Sequence, residues 1–305
     1  MSFLDEVKAL VQSSQPDRPA RIYAAAEAAV CEGDPDAHLL MSVLRGAGIG
    51  APQDWSAALD HLEAAAQAGS DAARAQLALL GHAAPADDWR ALRASINVES
   101  WLAPSVRQVL SAAPRVVTID GFVSPAVCDW LIGRARGRTD RAKVFDAQAG
   151  GAAADDAGRS NTAFEFSFLE LDLVVLLVRA RIAATIGFPV TAFEPTQVLH
   201  YEAGQRFAPH HDYLDPSMPG HGAEIARRGQ RAVTLLIYLN DAFEGGETHF
   251  PVIGIRRRCP TGGALCFGNV DTAGVPDPRT LHEGAAPTRG EKWLLSQWIR
   301  IQSVV

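Results

Sequence analysis

The chain has 305 residues, 48% of them hydrophobic and 21% charged, with a formal net charge of −7 at pH 7. That length and mixture suit one large domain or two ordinary ones, and acids and bases interspersed along the chain leave no basic stripe to track phosphates, which argues against nucleic acid as a partner. The start, MSFLDEVKALVQ, has no basic segment ahead of an apolar run, no stretch reaches the ~18 apolar residues of a membrane span, and Cys31, Cys128, Cys259 and Cys266 are scattered with no CxxC, so the expectation is a cytoplasmic protein without membrane association, disulfide framework or thiolate zinc site.

From Ala20 to about His82 the sequence is alanine-rich and nearly repeats itself. EAAVCEGDPDAHLLMSVL begins at Glu27 and EAAAQAGSDAARAQLALL at Glu63, a period of 36 residues that sets Gly33 over Gly69, Met41 over Leu77 and Leu44 over Leu80. A helix ending at glycine, a turn opened by Asp or Ser, and a second Ala/Leu helix make an αα-hairpin, and such hairpins bury their apolar faces by stacking. In length and small-residue pattern they resemble the Sel-like branch of the tetratricopeptide-type repeats. The resemblance implies a surface that holds a partner; an alanine-rich extension that only stabilises its neighbour is the alternative.

The stretch Ala83 to Pro114 reads as a helical connector, with Asp87 and Asp88 opening a helix near Trp89. RVVTIDGF from Arg115 is β-rich, and Ser124–Pro125 starts a helix running to roughly Gly137. DAQAGGAAADDAGRSN, Asp146 to Asn161, is too rich in Gly, Ala and Asp for a core element and reads as a mobile loop. LELDLVVLLVRARIAATIG is a buried helix closing at Gly187. From Thr196 the chain breaks into short strands separated by Gly and Pro, with SMPGHGAEIARRG as a loop among them, and this pattern predicts an antiparallel sandwich or barrel.

Within that β-region APHHDYLD, Ala208 to Asp215, raises the question of a metal. Residues two apart on a strand share a face, so His210 and Asp212 converge while His211 looks away. An imidazole with a carboxylate suits divalent iron, zinc or manganese, whereas structural zinc recruits thiolates. The third ligand has to come from His200, His221, His249 or His282. A jelly roll pairs early strands with late ones, which favours His282 in RTLHEG.

YEAGQRFAPHHDY, RAVTLLIYLND, GGETHFP, GALCF and LHEGAAPTRGEKWLLSQWIR, in this order and spacing, resemble the catalytic domain of the iron(II)/2-oxoglutarate dependent prolyl 4-hydroxylase family. The resemblance runs from about Pro114 to the C-terminus. It implies a double-stranded β-helix, or jelly roll, dioxygenase domain over 114–305, which with the helical repeats over residues 1–85 and a connector over 86–113 makes an α+β protein. It implies ferrous iron on His210, Asp212 and His282, with 2-oxoglutarate and dioxygen as co-substrates and ascorbate as accessory reductant. Decarboxylation of 2-oxoglutarate to succinate and CO2 would be coupled to hydroxylation of an unactivated C–H bond, that of a prolyl residue in a peptide or protein. By motif position Lys292, ten residues after His282, takes the distal carboxylate of 2-oxoglutarate, with Arg206 or Arg289 as the next choices. Equal parity on successive turns of one hairpin would bring His282 and Lys292 to one cavity. Tyr201 and Tyr238 match tyrosines that hydrogen-bond 2-oxoglutarate, Thr248 and Trp298 match pocket-lining positions, and Arg159 matches an arginine at the edge of the substrate groove. The alternatives are the same chemistry on a free amino acid or small metabolite, and a non-catalytic interaction protein built on the repeats.

Overall fold

A computed structural model describes residues 2–81, 87–142, 144–146, 152–154 and 158–301. The chain forms two compact units, Met1–Ala103 with Ser167–Ala184, and Pro104–Phe166 with Thr185–Val305.

The first unit is helical: α1 (Phe3–Gln12), α2 (Arg18–Cys31), α3 (Pro35–Ala47), α4 (Trp55–Gln67), α5 (Asp71–Leu80), α6 (Trp89–Ser95) and α7 (Val98–Leu102). The internal repeat maps onto α2–α3 and α4–α5. Gly33 and Gly69 end the first helix of each pair at φ of 82° and 100°, a left-handed turn that an L side chain rarely adopts. Asp34 and Ser70 then cap the second helix by accepting backbone N–H bonds. Ala37, Leu44, Ala58, Leu62, Ala73 and Leu77 are all 0% exposed, so the small residues let the helices approach closely.

α8 (Pro125–Ala135) belongs to the second unit, but α9 (Leu173–Ile186) returns to the first. Leu173, Val174, Val175, Leu177, Val178 and Ile182 are 0% exposed, so the first turns of the helix are buried on every face. Gln76 Oε1 accepts from the Leu173 backbone N–H at 2.9 Å, and Arg181 donates to the Trp101 carbonyl at 3.0 Å. This division differs from the sequence-based boundaries. Periodicity identifies a buried helix but not which core buries it, and the stretch taken as a connector supplies α6 and α7 to the helical unit and the first strand to the other.

The second unit carries the sheets. In chain order the strands are β1 (Gln108–Ala112), β2 (Arg115–Ile119), β3 (Asp140–Arg141), β4 (Val144–Asp146), β5 (Ala152–Ala154), β6 (Thr162–Glu165), β7 (Gln197–Tyr201), β8 (Phe207–His210), β9 (Gln230–Tyr238), β10 (Glu244–Gly245), β11 (Thr248–Phe250), β12 (Ile255–Arg257), β13 (Ala264–Gly268), β14 (His282–Gly284), β15 (Pro287–Arg289) and β16 (Lys292–Ile301). An eight-stranded sheet runs β1-β2-β13-β9-β16-β7-β6-β3, and a four-stranded sheet runs β12-β11-β14-β8. Pairing is antiparallel in both. Between them lies an aromatic and aliphatic core that includes Tyr201, Tyr238, Phe250, Leu265 and Phe267.

Two expectations change here. The glycine-containing insertion read as a loop is instead α10 (Pro219–Arg228). Pro219 stands in its first turn, Gly229 closes it, and buried Glu224 pairs with Arg227 and Arg228 one turn on and with Arg300 at 3.1 Å. Of the segment read as a mobile loop, residues 147–151 and 155–157 lie outside the described residues; β4 and β5 pair with each other. Among the described residues, no helix is long and apolar enough to cross a membrane.

Candidate active site

β8 ends on His210 and β14 begins on His282, and the two are register partners with ring centroids 4.3 Å apart. Asp212 does not continue the strand, as alternation alone predicts. It sits in the bend just beyond, 4% exposed. One ligand atom from each of His210, Asp212 and His282 lies within 4.8 Å of the others. A carbonyl only accepts, so His210 Nδ1 donates to Ala208 at 2.8 Å and His282 Nδ1 donates to Thr280 at 3.0 Å. Both imidazoles therefore keep the Nε2 lone pair for the centre of the cluster, the tautomer a metal ligand needs. These Nε2 atoms stand 3.5 Å from Oδ1 and Oδ2 of Asp212 respectively. His211 points elsewhere, donating from Nε2 to the Pro278 carbonyl at 3.1 Å and stacking on Tyr213.

Electrostatics agree with the geometry. Burial drives the His282 imidazole down to about 4, and His210 beside it adds to the shift, so it is neutral near pH 7. Burial alone would raise the Asp212 carboxyl, but the two imidazoles and the Thr234 hydroxyl outweigh it and hold the group well below the usual carboxylate range. The Thr234 hydroxyl donates to Asp212 Oδ2 at 2.7 Å and accepts from Asn269 Nδ2 at 2.9 Å.

Lys292 faces the same cavity from the larger sheet, where it opens β16 opposite Tyr201. His282 and Lys292 thus lie on different sheets rather than on one hairpin; parity was a sound guide to the cavity and a poor one to the connection. Lys292 is 0% exposed and, among the described residues, its Nζ has no hydrogen-bond partner. The ammonium lies 4.7 Å from the Tyr201 ring centroid and 5.8 Å from that of Tyr238. Burial pushes it down to about 7 against the opposing charge of Glu247. A buried cation without an acceptor calls for an anion. The cavity is also lined by Tyr201, Thr248, Ser296 and Trp298. Burial raises the Tyr201 phenol to about 12, which keeps it a donor. Tyr238 is not among the lining residues: its hydroxyl donates to the Arg257 carbonyl at 2.9 Å and accepts from Thr248. Arg206 is exposed and Arg289 pairs with Glu244 at the surface.

Arg159 is 2% exposed and lines the cavity with its guanidinium 4.5 Å over the Phe207 ring, which in turn stacks on His210 with centroids 3.5 Å apart. Phe207, Thr234 and Asn269 were not singled out from sequence. Phe207 lies within a motif read for its histidines, and Thr234 and Asn269 read as ordinary strand and turn residues.

Residues 196–300 match the family described as the 2OG-Fe(II) oxygenase superfamily. Prolyl 4-hydroxylase 1 of Arabidopsis thaliana is 32% identical over 206 residues, covering 63% of this chain and 71% of that protein. The chain belongs to the prolyl 4-hydroxylase-like family of 2OG-Fe(II) oxygenases. Prolyl 4-hydroxylase 5 of the same plant is 32% identical over 225 residues, 67% of this chain and 73% of that one. A viral collagen prolyl hydroxylase from Paramecium Bursaria Chlorella virus-1, solved as a 2OG complex, superposes with a TM-score of 0.46 at 26% identity, covering 61% of this chain and 96% of that one. The oxygenase is a dioxygenase that uses ferrous iron, 2-oxoglutarate and dioxygen. Its residues fit that set: two imidazoles with free Nε2 atoms and a carboxylate suit ferrous iron, and the partnerless Lys292 Nζ suits a dicarboxylic 2-oxo acid.

Proposed function

We propose that the oxygenase hydroxylates a prolyl residue of a peptide or protein, with His210, Asp212 and His282 holding the iron. Bound together, iron, 2-oxoglutarate and dioxygen supply the oxidising power that inserts oxygen into a C–H bond. The chain's own residues bind and orient. Lys292 pairs with the distal carboxylate in a charge-assisted bond, the Tyr201 hydroxyl donates beside it, Thr248 shapes the wall, and Trp298 with Arg159 flanks the substrate. One observation carries this reading: a three-donor cluster and a buried, partnerless ammonium share one cavity. The relatives named prolyl 4-hydroxylases support the choice of substrate. Two antiparallel sheets that contribute to that cavity support the assignment of the second unit as a jelly-roll catalytic domain.

The decisive assay incubates the oxygenase with proline-containing peptides, 2-oxoglutarate, ferrous iron and ascorbate as accessory reductant. Succinate should form in step with a peptide product that has gained one oxygen on proline, located by tandem mass spectrometry. Coupled oxidation of a free amino acid with none of any peptide would replace the peptide reading. The helical unit is proposed to help hold a macromolecular substrate, its two helical hairpins supporting a Sel-like reading, so a folded protein substrate should show a lower KM than a short peptide carrying the same proline. Three buried free cysteines support a reducing, cytoplasmic setting.

A further inference from the structure

Thr234 and Asn269 are polar residues inside an apolar core, 1% and 0% exposed. A hydroxyl and an amide N–H in such a place are costly unless bonded, and here the bonds of the Thr234 hydroxyl and of Asn269 Nδ2 run in one direction. A ligand carboxylate can only accept, so the single Thr234 hydroxyl proton goes to Asp212 Oδ2, at 2.7 Å. The Thr234 oxygen is then left to accept, which turns the amino side of the Asn269 amide toward it, at 2.9 Å. β9 places Thr234, and Asn269, in the bend just after β13, is tied to β9 by its backbone N–H, which donates to the Ala232 carbonyl at 2.7 Å. Asp212, in contrast, sits in a bend, where nothing in the backbone ladder fixes how its carboxylate is rotated.

The count of coordination positions decides what this arrangement does. Two imidazoles and a single carboxylate oxygen fill half the positions of an octahedral ion. A bidentate 2-oxo acid takes two more, and the last remains for dioxygen. A carboxylate that turned to offer both oxygens would fill that last position once 2-oxoglutarate was bound. We infer that Thr234, held in turn by Asn269, is a positioning residue that keeps Asp212 a one-oxygen ligand and so reserves the place dioxygen needs. The inference rests on the proposed triad.

The test substitutes Thr234→Val, which keeps the shape and removes the hydroxyl, beside Thr234→Ser, which keeps the hydroxyl. Each full-length protein is titrated with Co2+, whose visible spectrum reports coordination number without turnover. Wild type and Thr234→Ser should share one spectrum. Thr234→Val should show a changed spectrum and a KM for dioxygen raised about tenfold, the scale on which groups behind metal ligands act, with the KM for 2-oxoglutarate unchanged. Asn269→Ala should move both readouts the same way by less, and it carries the test if Thr234→Val does not fold. Asp212→Ala separates the two claims. Wild-type Co2+ affinity in Asp212→Ala would remove the triad and this inference together. Lost Co2+ in that variant, with an unaltered spectrum and dioxygen KM in Thr234→Val, would overturn the inference alone.

Discussion

Because burial lowers the Lys292 ammonium from its ordinary value of 10.5 to about 7, the unfolded chain binds more protons than the folded one between those two pH values. Unfolding free energy therefore rises with pH across that window. Lys292→Met should flatten the rise and make the ligand-free protein more stable near neutral pH, as chemical denaturation at a series of pH values would show. On the proposed pairing, the same replacement should weaken 2-oxoglutarate by on the order of 2–4 kcal/mol, since one member of a buried charge pair would be gone. Bound 2-oxoglutarate would then favour the charged amine, so its binding should take up a proton above pH about 7 and its KM should climb with pH there. His211→Ala should keep iron binding and measurable turnover, because its ring is engaged with Pro278 and Tyr213 outside the cluster; loss of iron as complete as in His210→Ala would refute that. At this scale the cluster of His210, Asp212 and His282 was legible because two short motifs, APHHDYLD and RTLHEG, contain its members. Tyr238 was not: alternation tells which face a hydroxyl is on, but not that Thr248 and Arg257 already occupy it. Thr234 and Asn269 escaped notice because their role depends on a bond between elements far apart in sequence.

β16 is the element on which the cavity depends. Lys292, Leu294, Ser296 and Trp298 alternate into it from one strand paired on both sides, by β7 and β9. Its far end is held by a buried ionic cluster. Glu194 accepts from Arg231 at 2.7 and 2.9 Å and from Arg300 at 2.7 Å, while Arg231 stacks 3.9 Å over the Trp298 ring and Arg300 donates to the Gly229 carbonyl at 2.8 Å. Glu194→Ala removes the carboxylate that Arg231 and Arg300 share, and should cost about 3–5 kcal/mol in urea denaturation, the range for breaking a buried pair on one side. Glu194→Gln should cost less, since the amide still accepts. Strand alternation made β16 readable from KWLLSQWIRIQ. α10 was unreadable because two of its residues are glycine, and its stability comes from Glu224 meeting Arg300, a partner that local sequence does not reveal.

At the scale of the whole molecule, the helical unit is not a detachable prefix. α9 belongs to it, so deleting residues 1–85 removes the neighbours that Leu173 and Leu176 have at Gly46 of α3 and that Leu173 has at Gln76 of α5. At roughly 1.5–3 kcal/mol for each of the two leucines, that loss is comparable with the lower end of the stability of an ordinary domain, about 5–15 kcal/mol. The deletion should therefore lose its cooperative thermal transition; a sharp one near the full-length value would show that α9 is held by other means.

The interrupted unit also sets an order of events during synthesis. The N-terminal helices cannot finish their core when they leave the ribosome, because the segment that fills it is made only after the first strands of the other unit. At about 5–20 residues per second, Pro104–Ala184 takes on the order of 4–16 s to make. For that interval the apolar sides of α3 and α5 wait for a helix still being translated, so the nascent chain is most open to chaperones, and to aggregation, before its catalytic half is complete.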